Sequence, residues 1–399
     1  MPSRTSLSKT LIVLLAATSA LGPAAMQILL PALPAIKETF EVSTEAAQLT
    51  LSLSMLAIAL GTLFFGPVSD KYGRKPVMLV GLSITLVGSI FCFLANTIEL
   101  LIASRFIQAF GAAAGLVLAR AIVRDVYGAQ EAARVIATLV MVMVAAPMLS
   151  PALGGELMLR LGWEYVFVVI AIACVLISLL LIKILPETLK EPVPFNGVAA
   201  MIGNYVLLFR SRAFCGYAFC VTFVSVLFFS FISAAPEIMV SVLKRPPNEY
   251  GYYFVMIAIG FMAGNYFARH FGRSMELNRM ISIGVIIGVT GVSLAIALQL
   301  MGFQQPIALF APIAFAVCGN GIALPNAQAA AINEFPRFAG SASGLTGFLQ
   351  MFFSAIAAQM VAVIFNGTVY PLLILMLSAS ILSLICFNLG VRVSPKVSA

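Results

Sequence analysis

Five polar side chains lie in or beside long apolar runs. Burying such groups in an apolar medium is energetically unfavourable, so they are expected to have a hydrogen-bonding partner or a function. Gln27 can only donate and accept hydrogen bonds, whereas the carboxyls of Glu156 and Glu237 can take up and release a proton. Arg105 needs a carboxylate, carbonyl oxygens or a watery cavity, and Gln108 faces the same side of a helix. The available chemistry is therefore binding and proton exchange in an apolar medium.

The apolar runs that carry these side chains define the protein class. Of the 399 residues, 61% are hydrophobic and 10% are charged, whereas a soluble domain has about 25% charged residues. Apolar stretches of this length predict transmembrane helices. We place twelve segments at roughly 10–34, 46–68, 76–96, 98–121, 134–158, 163–185, 213–237, 249–270, 278–301, 306–327, 340–366 and 368–391.

Charge gives the orientation of these helices. Most of the 23 Lys and Arg residues fall in alternate loops and at both termini, which predicts cytoplasmic termini. The net charge of +8 is explained by this one-sided distribution, so no nucleic acid partner is expected. A proline-rich, charged break at 186–212 divides the chain into six-helix halves at 1–185 and 213–399. Within it, the apolar stretch Met201–Phe209 is expected at the inner leaflet.

The loop between the second and third segments has the pattern G-x-x-x-D-x-x-G-R-K. Gly66 is expected to let helices approach closely, and Gly73 to permit a tight turn with positive φ. Asp70 can pair with basic groups, while Arg74 helps to hold the loop in the cytoplasm. The pattern resembles the signature loop of the major facilitator superfamily. Two residues at the end of the fourth segment, Arg124 and Asp125, are expected to join the charge cluster around Asp70.

Three further motifs resemble those of the Bcr/CflA-type drug exporters of that superfamily. The first is the L-P-A-L-P run at 30–34, although Gln27 stands where the subgroup has an aspartate. The second is R-x-x-Q-x-x-G, which begins at Arg105 and has alanine in the first of its two usual glycine positions. The third is P-x-x-x-P-x-x-G-G in the fifth segment, formed by Pro147, Pro151, Gly154 and Gly155. The glycine pair is expected to contact a helix of the other half.

Several side chains have two readings. Gln27 can bind substrate or join helices, and Arg105 can face a cavity or extend to the outer surface beside Glu99. Asn320 and Gln350 can line the substrate path or lock helices together. Glu156 and Glu237 are the candidates for proton coupling, although an exposed position at the outer rim is the commoner state of such carboxyls.

The resemblance implies an all-α membrane protein with twelve helices in two six-helix bundles. It implies a monomer of the bacterial inner membrane that exports small amphipathic drugs by proton antiport. The alternatives are a metabolite or siderophore transporter, with or without proton coupling, and a membrane receptor or scaffold. No enzymatic activity, cofactor or metal is expected, since the chain has one histidine, no CxxC pair and no nucleotide-binding loop.

Overall fold

The structure, a computed structural model, describes residues 9–189, 197–272, 274–335 and 339–393. For residues 9, 127–148, 197–202, 204, 247, 339–340 and 391–393 it gives the backbone alone. Every regular element in the described ranges is helical.

The helices fall into two compact units, Met1–Phe195 and Asn196–Ala399. The N-terminal unit holds α1 (Lys9–Gln27), a 3-10 turn (Leu30–Ala32), α2 (Leu33–Thr39), α3 (Thr44–Tyr72), α4 (Arg74–Phe93), α5 (Ile98–Leu161) and α6 (Tyr165–Ile184). The C-terminal unit holds α7 (Gly197–Arg210), α8 (Arg212–Glu237), a π-helical turn (Ile238–Val242), α9 (Pro247–Phe271), α10 (Leu277–Leu300), α11 (Pro306–Asn333), α12 (Ala339–Ile364) and α13 (Tyr370–Val393).

Local side-chain chemistry sets several helix starts. The hydroxyls of Ser43, Thr97 and Ser211 accept the backbone N–H three residues on and so cap α3, α5 and α8. The prolines of the L-P-A-L-P run lie in the first turns of the 3-10 helix and of α2, where their missing N–H is harmless. The first predicted segment is therefore interrupted at 28–32 and continues to Thr39.

One predicted boundary differs from the structure. The sequence predicts a gap at 122–133 between the fourth and fifth segments, but these residues are helical, so that a single helical element extends from Ile98 to Leu161. That element contacts α1 twice, at Gly115 against Thr18 and at Gly154 against Ile28. A straight helix from 115 to 154 would extend about 58 Å, whereas 18 and 28 lie about 15 Å apart along α1. The element therefore reverses direction between its two contacts with α1 and makes two passes.

The predicted all-helical membrane fold is confirmed. Among the residues with described side chains, eleven helices are long and apolar enough to span a membrane, and most of the fifth predicted segment lies outside that set. Helix α7 occupies much of the predicted linker. Its Leu208 is fully buried in the core of the C-terminal unit, while Val206, Leu207 and Phe209 are exposed.

Candidate functional site

The turn between α3 and α4 carries a charge cluster. Gly73 alone separates the two helices, and its φ of 100° favours glycine. The next residue, Arg74, is 5% exposed, and its Nη1 lies 2.5 Å from Oδ1 of Asp70. Its Nε donates to Oδ2 of Asp125 at 2.8 Å, and its Nη1 donates to Oγ of Ser69 at 2.6 Å. One guanidinium thus joins α3, α4 and α5.

Two expectations near this turn differ from the structure, one for Arg124 in the charge cluster and one for Gly66 as the close contact between helices. The side chain of Arg124 is exposed and makes no ion pair with the described residues, because the helix turns it away from the side on which Asp125 lies. Gly66 has room for a methyl group, since a Cβ there would lie 3.8 Å from Val117. The close approach occurs at Gly61, where a Cβ would lie 2.6 Å from that of Ala113.

Sequence reasoning missed Glu187, which follows α6 and binds the start of α4. Its Oε1 accepts the backbone N–H of Arg74 at 2.9 Å, and its Oε2 accepts that of Lys75 at 3.1 Å. Partial burial raises the pKa of this carboxyl, but the backbone N–H groups of Leu189, Arg74, Lys75 and Thr188 outweigh that effect and lower it. The sequence shows only a helix stop at this point, and nothing in one chain links it to α4.

Arg105 is the largest fully buried side chain of the described residues, at 1% exposure. Its Nη1 donates to Oε1 of Gln108 at 2.5 Å and to the carbonyl of Ala25 at 3.3 Å. Gln108 in turn donates to Oγ of Ser89 at 2.8 Å, which ties α5 to α4. The ring of Phe167 on α6 lies 5.9 Å from the guanidinium carbon. Arg105 therefore neither extends to the surface nor pairs with Glu99.

Gln27 is also buried, at 7% exposure, where α1 ends. Its Oε1 has no hydrogen-bond donor among the described residues, so the structure gives no interhelical bond for this oxygen. The small cavity beside Arg105 is lined by Met26 and not by Gln27. Gln27 and Arg105, the two predicted path residues, therefore do not share this cavity.

The glycine of the helix-five motif packs inside its own unit. A Cβ on Gly154 would overlap the backbone carbonyl of Ile28, at the end of α1. Gly154 thus packs on the end of α1, to which the second pass of α5 returns. Pro151 and Gly155 are buried, and the backbone is helical at Pro147, whose side chain lies outside the described set.

The two candidate carboxyls differ in environment. Glu237 is 8% exposed, so the expected position at an exposed rim is wrong for it. Its Oε1 accepts the hydroxyl of Ser241 at 2.5 Å, within the π-helical turn that follows. Glu156 is 40% exposed and lies 3.6 Å from Arg160, which agrees with a rim position. Burial and an irregular turn thus distinguish Glu237.

The polar residues of the second half also differ. Asn320 is buried, and its Nδ2 donates to the carbonyl of Val224 at 2.9 Å, which locks α11 to α8. Gln350 on α12 is partly exposed.

No group of three or more His, Cys, Asp or Glu residues able to hold a metal occurs among the described residues. The six cysteines are free thiols.

Comparisons with known proteins identify the family of the chain. The model of the Major Facilitator Superfamily matches residues 15–358. A bicyclomycin resistance protein homolog of Haemophilus influenzae is 29% identical, with 94% of each chain covered. The multidrug resistance protein MdtL of Escherichia coli is 28% identical over 92% of this chain and 91% of its own.

The fold also matches a solved structure. A bacterial homolog of the human lysosomal transporter Spinster, in an inward-facing, unoccupied conformation, superposes with a TM-score of 0.75 at 15% identity, covering 97% of this chain and 98% of its own. This likeness shows the fold, while the family model and the relatives show the class, which is one of transporters and not of enzymes. The chain is a multi-pass membrane transporter that belongs to the major facilitator superfamily and, within it, resembles the Bcr/CflA-type subgroup.

Proposed function

We propose that this transporter exports small amphipathic compounds, including antibiotics, by proton antiport. The observation that carries the proposal is the similarity over 94% of the chain to a bicyclomycin resistance protein homolog, together with the MdtL relatives. We further propose that it acts as a monomer in the bacterial inner membrane. We propose cytoplasmic termini because basic residues concentrate in alternate loops and at both ends of the chain.

The charge cluster around Arg74 is proposed as the cytoplasmic gate. Its three carboxylates come from α3, from α5 and from the segment after α6, and all of them engage the first two residues of α4. Charge-assisted hydrogen bonds are strong but reversible. Breaking them would release α4 from three neighbours at once, which suits an element that alternates between two states.

Glu237 is proposed as the proton carrier. An antiporter needs a group that changes charge within the membrane, and Gln27 cannot do so. Glu237 is buried, and its partner Ser241 can donate to the ionised carboxylate or accept from the protonated one. The adjoining π-helical turn supports the assignment, because such turns are frequent at functional sites.

Gln27, which cannot take up or release a proton, favours a second candidate function, a facilitator that moves its substrate without protons. Efflux of a panel of fluorescent dyes and antibiotics, with and without a protonophore, tests the proposal in cells. Transport driven by an imposed pH gradient in proteoliposomes then separates the two functions. An antiporter responds to the gradient, a facilitator transports but ignores it, and a receptor or scaffold shows no transport at all.

A further inference from the structure

The guanidinium of Arg105 is incompletely satisfied. Its Nη1 has two acceptors, but Nε and Nη2 have none among the described residues, although both atoms are fully buried. A buried donor without an acceptor costs about 1–3 kcal/mol, and more when it is charged. Two such atoms on one side chain indicate that an acceptor outside the chain belongs there.

The charge of Arg105 is also uncompensated. A guanidinium keeps its proton in proteins, and the partners that the structure gives it are neutral: an amide oxygen, a backbone carbonyl and the ring of Phe167. None of the salt bridges among the described residues includes Arg105. Gln27, at the end of α1, brings no negative charge to this region. The interior of the N-terminal unit is therefore electropositive at this point.

A small cavity adjoins the guanidinium. Besides Arg105 and Gln108, its walls are small or apolar residues of α1, α3 and α5, among them Gly22, Ala25, Ile58 and Ala109. It has room for about one water molecule, which is also the space of one ligand oxygen. Since Oε1 of Gln108 already accepts from Arg105, the unsatisfied polar atoms at the cavity are donors. Donors, positive charge and a one-atom space together define the ligand.

We propose that Arg105 forms an anion subsite that takes a single negatively charged acceptor atom. The atom is either a carboxylate oxygen of a transported compound or a free halide ion. Under the proposed function, on which this extension to substrates rests, compounds that carry a carboxylate are favoured over cationic ones. Gln108 is a positioning residue, because its bonds to Arg105 and Ser89 hold Nη1 in place and leave Nε and Nη2 for the ligand.

The chain contains its own reporter for this subsite. Trp163 is its single tryptophan, and the indole packs edge-on against Phe167 at a centroid distance of 6.3 Å. Phe167 in turn contacts the guanidinium. A change in the charge balance at Arg105 is therefore expected to alter the emission of Trp163.

The test titrates the purified full-length protein in detergent with sodium formate or sodium chloride, each exchanged at constant ionic strength for sodium methanesulfonate, whose anion is neither a carboxylate nor a halide. We expect a saturable change in Trp163 emission with at least one of the two ions. Arg105→Gln should weaken the apparent affinity by about tenfold or more, and Arg105→Lys by less, since it keeps the charge. Lys183→Gln, which removes an exposed charge from α6, is the matched control and should titrate like the wild type.

The two ions distinguish the sources of the acceptor. A response to formate alone identifies a carboxylate, and a response to chloride of equal or greater affinity identifies a free halide. The absence of a saturable response, or an equal response in Arg105→Gln, means that the cavity holds water only and overturns the proposal. Because this readout needs no transport, efflux without anion binding would refute the subsite alone, while anion binding without efflux would refute the proposed function alone.

Discussion

The carboxylate of Glu187 accepts the backbone N–H of Arg74, so that a residue after α6 caps the first turn of a helix 113 positions earlier. Gly73, which precedes α4, offers no side chain for this purpose. The negative carboxylate also complements the positive end of the α4 dipole. The start of α4 is thus held by a distant element, and the side chain of Lys75 adds a bond of 2.9 Å to the carbonyl of Ile182.

Glu187→Gln should destabilise the protein by about 0.5–2 kcal/mol, the range for loss of an N-cap. Thermal unfolding in detergent measures this effect, with Glu38→Gln as a control at an exposed carboxyl. Because the fold lowers the pKa of Glu187, its contribution is present at neutral pH and is lost as pH falls through that lowered pKa. The stability difference between wild type and Glu187→Gln should therefore shrink in acid, and a difference independent of pH would contradict the capping role.

Asp70→Asn should impair transport while leaving the protein in the membrane. Its reason is that the guanidinium of Arg74 loses one of the two aspartate carboxylates with which it pairs. Dye efflux, normalised to the amount of protein in the membrane, is the measurement. Arg74→Gln should be at least as severe. Arg124→Gln should be much milder, since that side chain is exposed. Full efflux with Asp70→Asn would rule out a gating role for the cluster.

Arg105→Ala should abolish transport, and Arg105→Lys should restore it only in part, because the planar fork that serves Gln108 and Ala25 is lost. Uptake by proteoliposomes with equal protein content is the appropriate assay. Transport at the wild-type rate in the alanine variant would show that the guanidinium only supports the fold. Retention of the oligomeric state and melting temperature in both variants is the necessary control.

Glu237→Gln should uncouple transport from an imposed pH gradient, whereas Glu156→Gln should leave coupling nearly intact, since Glu156 is 40% exposed beside Arg160. Proton-driven uptake in proteoliposomes compares the two variants and their combination. If the double variant responds to the gradient like the wild type, neither carboxyl carries the proton. Gln27→Asp supplies a second check, because a stronger pH dependence would place the end of α1 on the path.

Gly154→Ala should destabilise the N-terminal unit by about 1–3 kcal/mol, since the added methyl meets the carbonyl of Ile28 rather than a flexible side chain. Gly66→Ala should be tolerated, because its methyl would make an ordinary contact at 3.8 Å with Val117. The melting temperatures of the two variants in detergent form a matched pair. Equal loss at both positions would contradict this difference.

The features that the sequence predicted are those that depend on local pattern. The lengths of the apolar segments located the helices. Gly73 located the turn before α4, because glycine permits the positive φ that this turn requires. The two passes of α5 correspond to the fourth and fifth predicted segments, but the sequence did not show that the stretch between them is helical. Glu187 and the neighbour of Gly154 were missed because each depends on which helices pack together, and spacing along one chain carries no such information.

The two contacts of α5 with α1 have a mechanical consequence. A Cβ on Gly115 would lie 2.5 Å from the carbonyl of Thr18, and Gly154 is packed in the same way on Ile28, so backbone meets backbone at both levels. Contacts of this kind have no rotamers with which to absorb a shift. The backbone of α1 and the segment that follows it are therefore in tight contact with both passes of α5. We expect a displacement of the backbone near Gln27 to be transmitted to α5, the helix that carries Arg105.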